Sequence, residues 1–122
     1  MEVKFKNMHY PVIINPTRVQ ELSQVKFEEK GVRFGAACTL SDIEDVLREQ
    51  IASLPEHKTR VFKAIVEMLR WFAGKQIRNA AAVGGNIITG SPISDLNPIF
   101  MAAHCHLELR SKSKFIRVAH LD

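Results

Sequence analysis

The residues whose types and spacing could do chemistry lie between Arg70 and Pro98, in the run RWFAGKQIRNAAAVGGNIITGSPISDLNP. Small side chains let a large flat ligand lie directly on the backbone, and glycines free peptide N–H groups to face a phosphate. The run therefore reads as a candidate wall for a nucleotide cofactor. Gly84-Gly85-Asn86 is its centre, preceded by Ala80-Ala81-Ala82, where nothing larger than a methyl group obstructs approach. Adjacent glycines also mark ordinary turns, so ligand contact and structural turn both stand. The pattern is not the G-x-G-x-x-G dinucleotide fingerprint, and the strand-turn-helix setting that fingerprint needs is not expected here.

Phe72 lies on the apolar stripe of a helix, which suits core packing, but also in its last turn beside Ala73 and Gly74. An aromatic flanked by small residues offers a flat face to a purine or flavin ring. Trp71 sits about 100° around the helix and meets a different environment, while Arg70 either stacks on an aromatic or is solvated. Asp95 is either a helix N-cap or a carboxylate accepting hydrogen bonds from sugar hydroxyls, with Thr89 and Ser91 as neutral donors nearby. His104-Cys105-His106 places three potential ligands next to one another. Neighbouring side chains diverge, so they cannot readily close a tetrahedral site, and no metal is expected. No nucleophile has an elbow-like setting, and no catalytic acid, base or nucleophile is assigned.

The elements that must position these residues read as α+β, strands and helices mixed without regular βαβ alternation. Val3–Asn7 and Tyr10–Asn15 are expected to be short strands, with Thr17-x-x-Gln20 capping a brief helix through Leu22. Val25 and Phe27 alternate before Glu28-Glu29-Lys30-Gly31, and Val32 and Phe34 after it, a hairpin pattern whose second arm is expected to reach Leu40. Ser41-x-x-Glu44 has capping-box spacing, and Ile43, Val46, Leu47, Ile51 and Leu54 then follow helical periodicity to Pro55. A second helix is expected over about Lys58–Ala73, with Phe62, Ile65, Val66, Leu69, Phe72 and Ala73 on one stripe and Gly74 as its left-handed cap. Ala80–Ile88 is open between a small-residue loop and a buried strand. A short helix over about Leu96–Ala103 would be capped by Ser94 or Asp95, and His106–Arg110 with Phe115–Val118 reads as a final hairpin.

The 122 residues, 46% hydrophobic, suffice for one globular unit with a modest core. The 17 basic residues are scattered among 13 acidic ones, without the dense basic stripe interleaved with aromatics that a nucleic-acid surface shows. No run approaches the roughly 20 apolar residues that span a bilayer, and Met-Glu-Val-Lys-Phe-Lys-Asn has no signal-peptide core. A cytoplasmic setting with no nucleic-acid or membrane partner is expected. Two cysteines, Cys38 and Cys105, cannot supply the about four ligands of an iron–sulfur cluster, and Cys38 reads as a buried free thiol.

The segments Trp-Phe-Ala-Gly-Lys-Gln, Val-Gly-Gly-Asn-Ile-Ile-Thr and Ser-Pro-Ile-Ser-Asp-Leu-Asn-Pro, in this order and spacing, closely resemble the flavin-binding domain of the xanthine dehydrogenase and aldehyde oxidase family. Phe5-Lys6-Asn7, Gly35-Ala36-Ala37-Cys38 and Leu54-Pro55 fit as well, so the resemblance covers nearly the whole chain. It implies FAD held in a two-part α+β domain of the vanillyl-alcohol-oxidase (PCMH) type. Molybdopterin and two [2Fe–2S] clusters would lie in other domains of the same enzyme, with NAD or oxygen as electron acceptor and a homodimer as the assembled form. Carried over residue by residue, it implies FAD contacts at Phe72, Ala73, Ala82, Gly84, Gly85, Asn86, Ile88, Thr89 and Asp95.

Two departures accompany the resemblance. The family often has serine where this chain has Ala82, which would remove a hydroxyl contact to FAD. The family's Gly-Asn-Thr phosphate-wrapping segment lies upstream of the Val3–Asn7 match. The resemblance therefore implies a fragment, residues 1–122 of a partial FAD-binding domain, with the phosphate segment and a downstream half-domain supplied elsewhere and weak FAD binding by these residues alone. The other reading is a non-catalytic remnant or interaction domain that keeps the fold without the cofactor.

Overall fold

The computed structural model describes residues 6–29 and 31–118. Its body is a pair of helices, α2 (Leu40–Ser53) and α3 (Glu56–Trp71), packed against each other. Both arise from the apolar spacing in the sequence: Leu40, Ile43 and Leu47 of α2 and Ile65, Val66 and Leu69 of α3 are buried. Cys38, Val83 and Leu96 complete the core, and Phe62, Phe72, Ala81 and Ile87 pack around it. Pro55 stops α2 at Ser53 and opens α3, which starts two residues before the expected boundary because a proline with extended ψ is well suited to precede a first turn.

The cap of α2 lies two residues upstream of the expected one. Thr39 is the N-cap: its hydroxyl accepts from the Asp42 N–H at 3.1 Å, and the Asp42 carboxylate accepts from the Thr39 N–H at 3.0 Å. This register has the same capping-box spacing but places Leu40 inside the first turn, where it is fully buried. Ser41 instead donates to Asn79 Oδ1, and Glu44 pairs with Arg48 and Arg78.

The end of α3 also differs. The helix stops at Trp71, Phe72 is its C-cap, and Ala73, not Gly74, takes the left-handed conformation at φ 45°. Gly74 is extended and precedes the short helix α4 (Lys75–Arg78). Ala80–Ile88 is neither loop nor strand for most of its length. Ala82 forms one isolated antiparallel bridge with Thr39, then the chain enters helix α5 (Val83–Thr89), closed by Gly90 at φ 55°. Helix α6 (Asn97–Ala102) follows, with buried Leu96 at its N-cap. Neither Ser94 nor Asp95 occupies that position, although Ser94 Oγ accepts from the Asn97 N–H at 3.3 Å.

Strands β1 (Val25–Glu28) and β2 (Gly31–Phe34) form the expected antiparallel hairpin, with Val25 opposite Phe34 and Phe27 opposite Val32. Strand β2 ends at Phe34 rather than continuing to Leu40. At Gly35 the chain turns so tightly against the Leu22 carbonyl that a Cβ would overlap it. Strands β3 (Leu107–Arg110) and β4 (Phe115–Val118) form the second hairpin, with Leu109 opposite Ile116. An Arg33–Glu108 ion pair links the two hairpins.

The amino-terminal expectations hold least well. Of Val3–Asn7, residues 3–5 lie outside the described residues, and Asn7 is left-handed at φ 50°. Tyr10–Asn15 is not a strand: Pro11 has no N–H to give, and among the described residues no strand pairs with the segment. Thr17 does not cap a helix. Asn15 caps a 3₁₀ turn over Pro16–Arg18 by accepting from the Thr17 N–H at 3.1 Å, and helix α1 (Gln20–Ser23) follows without a side-chain cap. The mixed α+β character read from the sequence matches the observed elements.

Candidate functional site

Of the nine candidate cofactor residues, five sit on the single helix α5 and a sixth, Ala82, is its N-cap. Gly84 and Gly85 occupy its first turn, and their surroundings differ. A Cβ at Gly84 would lie 2.8 Å from both Cβ and O of Ala36, and the Gly84 N–H donates to that oxygen at 2.9 Å. Gly84 is a glycine because the chain packs on itself there. A Cβ at Gly85 would meet no heavy atom within 4 Å, and Gly85 does not have a positive φ. The backbone conformation at Gly85 is therefore one that any residue can adopt. Open space next to it leaves room for a ligand outside the chain.

The backbone donors are partly spoken for. The Val83 N–H donates to Cys38 O and the Asn86 N–H to Ala82 O, so the phosphate-facing role expected of this turn cannot use them. The Thr89 hydroxyl donates to Gly85 O at 2.7 Å, which leaves it an acceptor towards a ligand rather than the donor expected. Asn86 is half-buried with its Oδ1 out of solvent and unpartnered, and Asn97 Oδ1 is in the same condition. Asn97 donates to Ile87 O at 3.4 Å, which ties the start of α6 to α5. Unpaired buried carbonyl oxygens are costly and point to a missing donor. Ile88 is 73% exposed.

Phe72 and Ala73 lie at the C-terminal end of α3, apart from α5 in sequence. Phe72 is half-buried on the rim of the core that also receives Ala81 and Ile87, so it packs as the helical stripe requires. Ala73 is exposed, contrary to its place on that stripe, because the helix has already ended. Trp71 is 74% exposed, with the Arg70 guanidinium 5.4 Å from its ring centroid, which resolves Arg70 in favour of stacking. Asp95 is half-buried in the loop before α6 and caps nothing.

Arg78 is a residue that the sequence reading missed. Its Nη1 donates at 2.8 Å to both the Phe72 and Ala73 carbonyls, and its Nε lies 3.5 Å from Glu44 Oε2. A basic residue shortly after a long helix, where carbonyls lack partners, is the signal that points to it. Glu44 in turn accepts from Arg48 at 2.8 Å.

The two cysteines are free, and burial raises both thiols above the ordinary value. Neither sits in the electropositive setting that activates a thiolate. Among the described residues, no group of three His, Cys, Asp or Glu side chains could hold a metal ion, and no helix is long and apolar enough to cross a membrane. Two open grooves lie away from α5. One of about 460 Å³ runs between Ile51 and Val66, and one of about 370 Å³ runs between Val61 and Ile99.

A mixed α+β chain with a glycine-opened helix, an open backbone face and unpartnered amide oxygens has the features of a cofactor-holding domain. Residues 1–122 match the family described as the FAD binding domain in molybdopterin dehydrogenase, and the chain belongs to that family. It is 52% identical to xanthine dehydrogenase/oxidase of Rattus norvegicus, over 98% of this chain and 9% of that protein. It is 57% identical to the protein of the same name from Gallus gallus, over 91% of this chain and 8% of that protein. Aldehyde oxidase of Homo sapiens is 46% identical over 91% of this chain and 8% of its own length. The chain thus spans less than a tenth of the curated relatives it matches.

Proposed function

We propose that this chain holds part of an FAD molecule within a xanthine dehydrogenase-like oxidoreductase. The observation that carries the proposal is the match of all 122 residues to an FAD-binding family. The open face at Gly85 supports the location. When bound, the isoalloxazine supplies the redox chemistry, and the protein supplies position and electrostatics. Gly85 lets the cofactor approach the α5 backbone, Asn86 follows it on the same turn, and Ile88 covers an apolar part. Thr89 and Asp95 accept from hydroxyl groups, while Ala82 and Gly84 keep the turn narrow. Phe72 and Ala73 offer a flat surface at the end of α3.

The finer reading belongs to the same proposal. The chain is one portion of a vanillyl-alcohol-oxidase-type domain. Electrons released by purine hydroxylation at a molybdopterin centre reach FAD through two [2Fe–2S] clusters and leave to NAD or oxygen. The partners are the remaining domains of a cytoplasmic homodimeric enzyme. A non-catalytic remnant is the second reading, and one observation favours it: Gly84, half of the glycine pair, is explained by Ala36 alone.

The two are separated by the visible spectrum of the full-length gene product together with equilibrium dialysis of FAD. Copurifying flavin that exchanges with added FAD is the expected result. A colourless, folded product that takes up no FAD establishes the remnant.

A further inference from the structure

We propose that Arg78 is a positioning residue for the flavin, setting the conformation of Phe72 and Ala73 from outside the cofactor's reach. This rests on the reading of Phe72 and Ala73 as FAD contacts. The end of α3 needs a restraint. Ala73 is left-handed although it is not glycine, a conformation costly for a residue with a Cβ. Helix ends leave carbonyls without intrahelical partners. One guanidinium nitrogen holds the turn that follows the helix, donating to the two consecutive carbonyls of the C-cap Phe72 and of Ala73 at 2.8 Å each. Its positive charge also sits where the dipole of a 16-residue helix is negative.

The guanidinium is itself paired: its Nε is buried without a hydrogen-bond partner but faces the Glu44 carboxylate as an ion pair. The Arg78 side chain is 13% exposed and Glu44 is 15% exposed, with Arg78 Nε and Glu44 Oε2 3.5 Å apart. Arg48, on the next turn of α2, holds the same carboxylate from the other side. A relay of charges thus runs from α2 through Glu44 and Arg78 to the peptide units that follow α3. Arg78 therefore restrains the backbone on which Phe72 and Ala73 are carried, while the Phe72 ring itself packs on the core. A lysine could supply the charge but not the rigid planar fork.

The test uses the full-length flavin-bearing protein with Arg78→Met and Arg78→Lys. Arg78→Met is expected to raise the FAD dissociation constant about tenfold, equivalent to ~1.4 kcal/mol. It should also change the visible circular dichroism of the bound flavin and shift its midpoint potential. Arg78→Lys should recover part of both. A purely structural arginine would lower thermal stability and leave the flavin dichroism and potential of the folded fraction as in wild type; that result overturns the proposal. If Arg78→Met does not fold, Arg78→Lys decides, because unchanged flavin signals there show that the fork geometry is immaterial. Wild-type protein without flavin would sink the FAD reading itself, and this inference with it.

Discussion

The α2–α3 pair and the stretch from Val83 to Asn97 are built from the same chain to different degrees of completion. Between the two long helices, apolar side chains face one another, and the one buried hydroxyl, Thr59, donates to the Glu56 carbonyl at 3.2 Å. In the second stretch, Ile88 and Ile93 stand 73% and 85% exposed while two amide oxygens are buried without donors. Apolar surface left in water and polar atoms left out of it are both unfavourable. Trp71 at the end of α3 is as exposed as Ile88, so the two regions differ in their buried polar atoms: Thr59 is satisfied by its own helix, whereas the amide oxygens of Asn86 and Asn97 are not.

The contrast breaks first where substitution is most costly. Leu47→Ala, in the satisfied region, is expected to lose about 2–5 kcal/mol of unfolding free energy, read by urea denaturation. A loss below about 1 kcal/mol would mean that the helix pair is not the stabilising core. Gly84→Ala should lose about 1–3 kcal/mol, because its Cβ must displace the Ala36 backbone.

Gly85→Ala sharpens the comparison. It should leave stability unchanged or raise it by about 0.5 kcal/mol, since alanine restricts the unfolded chain and meets open space here. FAD retention in the full-length protein should fall nonetheless. Equal flavin content in Gly85→Ala and wild type would remove Gly85 from the site.

The smallest effect concerns pH. Burial raises the Cys38 thiol pKa, so the native state holds that proton more tightly than the unfolded state. The resulting stability is fully present below the unfolded thiol pKa and is lost as pH rises through the folded one. Cys38→Ala should therefore flatten the alkaline decline in stability, and identical pH profiles would contradict the burial.

Legibility followed the source of each signal. The two long helices and both hairpins were readable because periodicity of apolar residues and turn chemistry are local. The Thr39 cap was missed because two boxes of equal spacing overlap, and only the burial of Leu40 decides between them. Tyr10–Asn15 has strand composition, but a strand needs a partner that composition does not reveal. Helix α5 was hidden by its glycines, which carry low helix propensity yet are held there by the contact of Gly84 with Ala36. The candidate segment itself was conspicuous in the sequence. The different reasons for its two glycines are not, since that for Gly84 depends on Ala36, far away in the sequence.

The Tyr10–Asn15 segment carries Val12, Ile13 and Ile14 largely in water. Backbone and side chains of this kind are a template for pairing between molecules as concentration rises. Pro11 and Pro16 bound the run, leaving four residues between two imide nitrogens that cannot join a ladder. Steric zippers draw on about six or seven residues. Two prolines so placed leave a run shorter than such pairing needs.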